Sequence, residues 1–169
     1  MSVEIRPARQ ADATAICAIW NAVIRDTLTT FTTEEKTADR IAAEIAARGP
    51  AFLVARDGDA VVGFATCFAF RPGPGYAFTR EHSVHVAAQA RRRGIGQALM
   101  AQLETEAAGQ GVRSMIAGIS DANPGGIAFH DALGYRPEAR LPQVGFKAGQ
   151  WLDLVLMQKF LEGAVQGRT

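Results

Sequence analysis

Glu81-His82-Ser83-Val84-His85-Val86, followed after four residues by Arg91-Arg92-Arg93-Gly94-Ile95-Gly96-Gln97-Ala98-Leu99-Met100, is the stretch on which the reading of this chain turns. The first part reads as a strand resuming around Glu81 to Val86. The second passes from charge and glycine into a helix over about Gly96 to Ala108, where Ile95, Leu99, Met100 and Leu103 form the buried side. A strand that turns through glycines into a helix leaves main-chain N–H groups unpaired at the helix start, and neighbouring arginines add positive charge. Arg91 to Gly96 therefore suits a pyrophosphate, although a basic surface turn has the same composition. A Rossmann dinucleotide loop competes for the same residues. Gly94-Ile95-Gly96-Gln97-Ala98-Leu99 lacks its third glycine, and the loop lies mid-chain rather than after the first strand.

Working outward, Val3 to Arg6 reads as a first strand ended by Pro7, and Asp12 is placed to cap the next helix. Ile16, Ile19, Trp20 and Val23 give that helix one apolar stripe. Thr27 to Thr33 is a Thr-rich connection holding Phe31. A second helix covers Ala38 to Arg48 and stops at Gly49-Pro50. Strands at Phe52 to Arg56 and Ala60 to Phe70 flank Asp57-Gly58-Asp59, a strong hairpin signal. Arg71-Pro72-Gly73-Pro74-Gly75 breaks the pattern. After the central helix come a strand at Ser114 to Ile119 and a short helix at Gly126 to Leu133 closed by Gly134. Two closing strands fall near Ala139 to Val144 and Leu152 to Gln158. The order βα, α, ββ, βαβα, ββ predicts an α/β chain: one mixed sheet covered by helices, without repeats or a domain linker. Residues 1–169 are read as a single domain with a core over about 3–160 and a short C-terminal tail.

Composition narrows the function classes. The chain has 169 residues, 48% apolar and 21% charged, with a net charge of +1. A protein that wraps duplex DNA carries a much larger basic excess, so no nucleic-acid partner is expected. The longest apolar run, Ala60 to Phe70, is too short to span a bilayer, and the residues after Met1 lack a secretory apolar stretch. The expectation is a soluble, cytoplasmic protein without a membrane partner. Cys17 and Cys67 stand singly in apolar segments and read as core residues. His82 and His85 are three apart on a strand, so they point to opposite faces and cannot share a metal. No metal is expected.

Three further groups suit chemistry. Glu81 begins an apolar strand just after the Pro/Gly loop; it shares a strand face with Ser83 and His85, and burial there would fit it to accept a proton. A charge at a strand end is also ordinary. Asn123 is placed to cap a helix or bond a ligand amide, and His130, seven residues on, titrates near neutrality. Each of these also has a purely structural reading.

Together the segments resemble the GNAT N-acetyltransferase superfamily, and more narrowly its phosphinothricin and methionine-sulfoximine N-acetyltransferases. The resemblance rests on Ile5-Arg6-Pro7-Ala8, Thr29 to Glu34, Glu81 to Val86, Arg92 to Gly96, His130-Asp131-Ala132-Leu133-Gly134-Tyr135, and Val144 to Asp153 with its G-x-K-x-G-x-W-x-D pattern. It covers nearly the whole chain up to about Phe160. It implies an acyl-CoA N-acyltransferase fold with a central, mostly antiparallel twisted sheet flanked by helices. It implies acetyl-CoA as cosubstrate, with the pyrophosphate on Arg91, Arg92, Arg93, Gly94, Ile95, Gly96 and Gln97. The pantetheine arm would pair with the backbone of Val84, His85 and Val86, and Asn123 would contact the cofactor. By the same resemblance Glu81 is the general base and His130 the general acid or an acceptor contact. Phe31, Arg71, Tyr76, Glu81, His82 and Ser83 surround a small amino-acid-like acceptor, and a homodimer is expected. A non-catalytic acetyl-CoA-binding sensor or interaction module on the same fold is the alternative. The chain departs from the family in having Gly126 where a small hydroxyl residue is common, and in its Pro72-Gly73-Pro74-Gly75 loop.

Overall fold

Phe52-Leu53-Val54-Ala55 is apolar at every position, and in the computed structural model, which describes residues 2–163, all four are buried. Continuous apolar strands of this kind need cover on both faces. Phe52 and Val54 meet Ile16, Trp20, Ile24, Ile41 and Phe64 on one side; Leu53 and Ala55 meet Leu99, Leu103, Met115 and Tyr135 on the other.

The elements run β1 (Glu4–Pro7), α1 (Ala13–Asp26), α2 (Ala38–Arg48), β2 (Phe52–Asp57), β3 (Ala60–Ala69), β4 (Thr79–Val86), α3 (Ile95–Gly109), β5 (Ser114–Ser120), α4 (Pro124–Ala132), β6 (Arg136–Lys147) and β7 (Gln150–Phe160). They form one seven-stranded sheet in the order β1-β2-β3-β4-β5-β7-β6, with α1 and α2 packed on one face and α3 on the other. Every neighbouring pair is antiparallel except β4 and β5. The expected order, the mixed sheet and the mostly antiparallel pairing all hold.

Three local readings change. Asp12 does not cap α1. Its carboxylate accepts from Arg9 N–H at 2.7 Å and forms a two-pronged pair with Arg6 at 2.8 and 2.9 Å, pinning β1 to the turn before the helix. The last hairpin is longer than its apolar pattern implied, because β6 is paired along its backbone while its side chains stay mostly exposed. Asp153 shapes that hairpin: it accepts from the Gln143 N–H at 2.9 Å and from Arg140 at 2.8 Å beside the irregular register between Leu141 and Gly145. The core also runs one residue past the expected limit. Leu161 is buried and bonds the Arg113 carbonyl at 2.8 Å, and the remainder of the expected tail, from 164 on, lies outside the described residues.

Candidate active site

β4 and β5 pair from Thr79 and Ser114 to Glu81 and Ile116 and then part, β4 running on to Val86 and β5 to Ser120. The wedge between them opens a cleft of about 430 Å³. It is walled by Ser83 to Val86, by Ala117 to Ile119, by the starts of α3 and α4, and by Val23, Thr27, Thr29 and Thr30 from the end of α1 and the loop after it.

Strand parity decides which backbone groups face the wedge. The Ala87 N–H bonds Val62 on β3 at 2.9 Å, and the His85 carbonyl lies against Gly63 on the same strand. Main-chain groups of Val84 and Val86 therefore turn to the open side, and the Arg91 side chain already reaches the Val86 carbonyl at 3.3 Å. Of the three residues expected to pair with a pantetheine arm, His85 is committed to β3. Its ring instead packs against Trp20 and Phe64, where burial, with Arg91 adding to it, pushes its pKa down to about 4.

At the mouth, Gly94 adopts φ +73° with open space around it, a left-handed turn that glycine makes without strain. The first intrahelical bond of α3 runs from Ala98 N–H to the Gly94 carbonyl at 3.0 Å, so the amides of Ile95, Gly96 and Gln97 precede the ladder. Gly96 and Arg91 line the cleft, whereas Arg92, Arg93, Gly94, Ile95 and Gln97 do not. The Arg93 guanidinium is held by Asp57 at 2.7 Å, and the Ile95 side chain fills the core, leaving its amide as the usable part. Asn123 is the N-cap of α4: its Oδ1 accepts from Gly126 N–H at 3.0 Å, which leaves its amide N–H groups for the cleft. An open turn, free helix-start amides and an arginine fit the diphosphate of a CoA thioester.

His130 lies on α4 with both ring nitrogens engaged. Nδ1 is 2.7 Å from the Gly126 carbonyl and Nε2 is 2.9 Å from Nε2 of His82. A carbonyl only accepts, so Nδ1 of neutral His130 carries the proton and its Nε2 accepts from His82. His82, expected at the acceptor, is instead buried in the cleft floor beside His130 and Tyr135. Burial lowers the pKa of both histidines, and the His130 charge lowers that of His82 further. Neutral His130 has no free proton for a leaving thiolate.

Glu81 stands at the base of the wedge, on the face of the sheet that carries α1. Its Oε1 lies 2.9 Å from where a Cβ on Gly118 would be, so any side chain at 118 would displace the carboxylate. Burial raises the Glu81 pKa and the charge of Arg71 opposes the rise. Arg71 stacks on Phe70, and Tyr76, 48% exposed, meets the same ring edge-on; neither is among the residues that line the cleft. Phe31 packs at Gly145. The threonines that line the cleft belong to the Thr-rich connection, from which only Phe31 was expected at the site; hydroxyl spacing in a loop carries no periodic signal. Among the described residues no cluster of potential metal ligands occurs and no helix is long and apolar enough to cross a membrane.

A sheet split between the one parallel pair among the described strands, with a glycine helix start at the mouth and a half-buried carboxylate at the base, defines a class of acyl-CoA-dependent transferases. Residues 18–135 match the model of the acetyltransferase (GNAT) family, and the chain belongs to that family. It is 36% identical over 163 residues to the L-amino acid N-acyltransferase MnaT of Escherichia coli, covering 95% of each chain. It is also 36% identical over 161 residues to a Salmonella typhimurium L-methionine sulfoximine/L-methionine sulfone acetyltransferase, covering 94% of each. Among solved structures, a Sinorhizobium meliloti phosphinothricin acetyltransferase in complex with acetyl-CoA superposes with a TM-score of 0.91 at 33% identity, covering 100% of this chain and 94% of that one.

Proposed function

We propose that the protein transfers an acetyl group directly from acetyl-CoA to the amine of a small amino-acid-like acceptor of the phosphinothricin or methionine sulfoximine/sulfone type, with Glu81 as general base. The observation that carries this reading is the half-buried Glu81 carboxylate at the last paired position of β4 and β5, which lies against the cleft-lining Gly118 although Glu81 is not itself among the lining residues. Related proteins bearing those substrate names, and one holding acetyl-CoA, support it.

In this reading acetyl-CoA supplies an activated thioester. The helix-start amides of Ile95 to Gln97, with Arg91 and the Asn123 amide, hold its diphosphate end. Main-chain groups of Val84 and Val86 hold the arm, and an N–H on that edge faces the acyl oxygen as it gains charge. An amine with a pKa of about 8–10 is mostly ammonium at neutral pH and cannot attack. Glu81 takes that proton, directly or through a water. The neutral amine attacks the acyl carbon, the C–S bond breaks, and CoA leaves as a thiolate that takes its proton from water. Placing the amine beside the acyl carbon lowers the barrier by several kcal/mol. His130, fixed by His82 and Gly126, shapes the floor rather than giving up a proton. Arg71, whose charge acts on Glu81, suits the acceptor's carboxylate or oxyanion.

Thiol release from acetyl-CoA measured across a panel of amino-acid amines tests the reading. Turnover is expected with methionine sulfone-type amines, and Glu81→Gln should lower kcat by roughly 10²–10⁴-fold while acetyl-CoA affinity stays near wild type. Tight acetyl-CoA binding without turnover on any amine would refute the transferase and leave a binding module. Cytoplasmic residence and a homodimer belong to the same proposal. Val144, Phe146 and Trp151, each more than half exposed, supply apolar surface for self-association, which sedimentation of the wild type against Trp151→Glu decides.

A further inference from the structure

Lys147 lies near the tip of the β6–β7 hairpin, yet it is only 6% exposed and its ammonium points inward. Its Nζ donates to the Ile24 carbonyl at 2.7 Å and to the Thr30 carbonyl at 2.9 Å, bridging more than a hundred residues of sequence. Ile24 belongs to the last turn of α1, where carbonyls lack intrahelical partners and the helix dipole favours a cation. α1 ends without a glycine cap; the Thr27 hydroxyl takes the Val23 carbonyl at 2.7 Å and Lys147 takes the next one. The lysine thus joins the end of the helix to the loop that follows it.

That loop is a cleft wall. Thr27, Thr29 and Thr30 line the cavity, and their hydroxyls are organised locally, Thr27 Oγ1 lying 2.8 Å from Thr29 Oγ1. The Thr30 hydroxyl is buried without a hydrogen-bond partner among the described residues. A second contact holds the same loop from the same hairpin. The Phe31 ring packs so closely on Gly145 that a Cβ there would lie 2.5–2.7 Å from three ring carbons.

We propose that Lys147 is a positioning residue: by tying Thr30 to the end of α1 it fixes the wall that faces the acceptor and thereby sets acceptor recognition. The assignment of this wall to the acceptor rests on the function proposed above. The threonines share the α1 face of the sheet with Glu81, whereas the helix-start amides of α3 and α4 serve the cofactor from elsewhere in the cleft.

Lys147→Met keeps the stem and removes the donors, leaving two carbonyls unpaired. The variant is expected to raise the KM of a methionine sulfone-type acceptor by about tenfold or more while the KM for acetyl-CoA moves by less than about threefold, with Lys147→Arg recovering part of the loss. Amide hydrogen exchange should quicken over Thr27 to Phe31 and stay unchanged over Ile95 to Leu99. Gly145→Ala, which displaces Phe31 without touching the charge, should produce the same split and replaces Lys147→Met if that chain does not fold. Unchanged acceptor KM with native exchange in the loop overturns the proposal, as does a matched rise in both KM values, which marks general loosening. If wild type acetylates no amino-acid amine, the acceptor reading fails, and the exchange comparison still decides whether Lys147 holds the wall.

Discussion

Glu81 feels two opposed influences. Burial raises its proton affinity, and the Arg71 guanidinium on the preceding loop lowers it, with burial the larger. A general base works only when ionised, so kcat/KM should fall on the acid side through a pKa above the ordinary carboxylate range. Arg71→Ala removes the lowering influence, so Glu81 holds its proton to higher pH and the acid limb of the kcat/KM profile should move upward. A limb that stays in place would assign it to another group. The histidines make a different point at this scale. His82 and His130 are separate candidates in the sequence, 48 positions apart, and their 2.9 Å contact exists only because β4 and α4 meet at the cleft floor. Cys67 is chemically quiet, since burial pushes its thiol up to about 11, as its apolar setting implied.

At the scale of elements, the start of α4 has two duties that one residue combines. Asn123 caps the helix with Oδ1 and leaves its N–H groups toward the cleft. Asn123→Asp keeps the acceptor oxygen and a helix-favourable charge but loses those donors. Its thermal midpoint should stay close to wild type while the acetyl-CoA Kd rises about tenfold or more, the worth of roughly one hydrogen bond to a charged group plus repulsion from the diphosphate. Calorimetry with CoA reads the second quantity and a melting curve the first. An unchanged Kd would restrict Asn123 to capping. The existence and order of the elements were legible because their signals are local: α2 occupies the expected residues, 38–48, and Gly49, at φ +52°, ends it. The β6–β7 hairpin was read too short because its mostly exposed strand offers backbone pairing and little apolar alternation.

For the whole molecule, burial holds His82, His85 and His130 neutral, so the folded state resists protons that the unfolded chain accepts. With folded pKa values below the unfolded value of roughly 6.5, stability is full above that pH and declines as pH falls below it, by up to about 1.4 kcal/mol per pH unit for each histidine. Urea unfolding at pH 7 and pH 5 should show a clear loss at pH 5, reduced in His85→Phe. A flat profile would mean that these rings are protonated or solvated in the fold.

Periodic apolar residues, glycine and proline punctuation and the Arg91 to Gly96 turn specified by themselves the order of strands and helices, the covering of the sheet by helices and the open glycine turn that starts α3, since each depends on residues a few positions apart. Which backbone edge of β4 is open, which arginine is spent on Asp57, how His82 locks His130 and why Lys147 is buried were decided only by tertiary structure. Those contacts join residues tens to more than a hundred positions apart, and a side chain acquires its partner and its solvation only when the sheet has assembled around it.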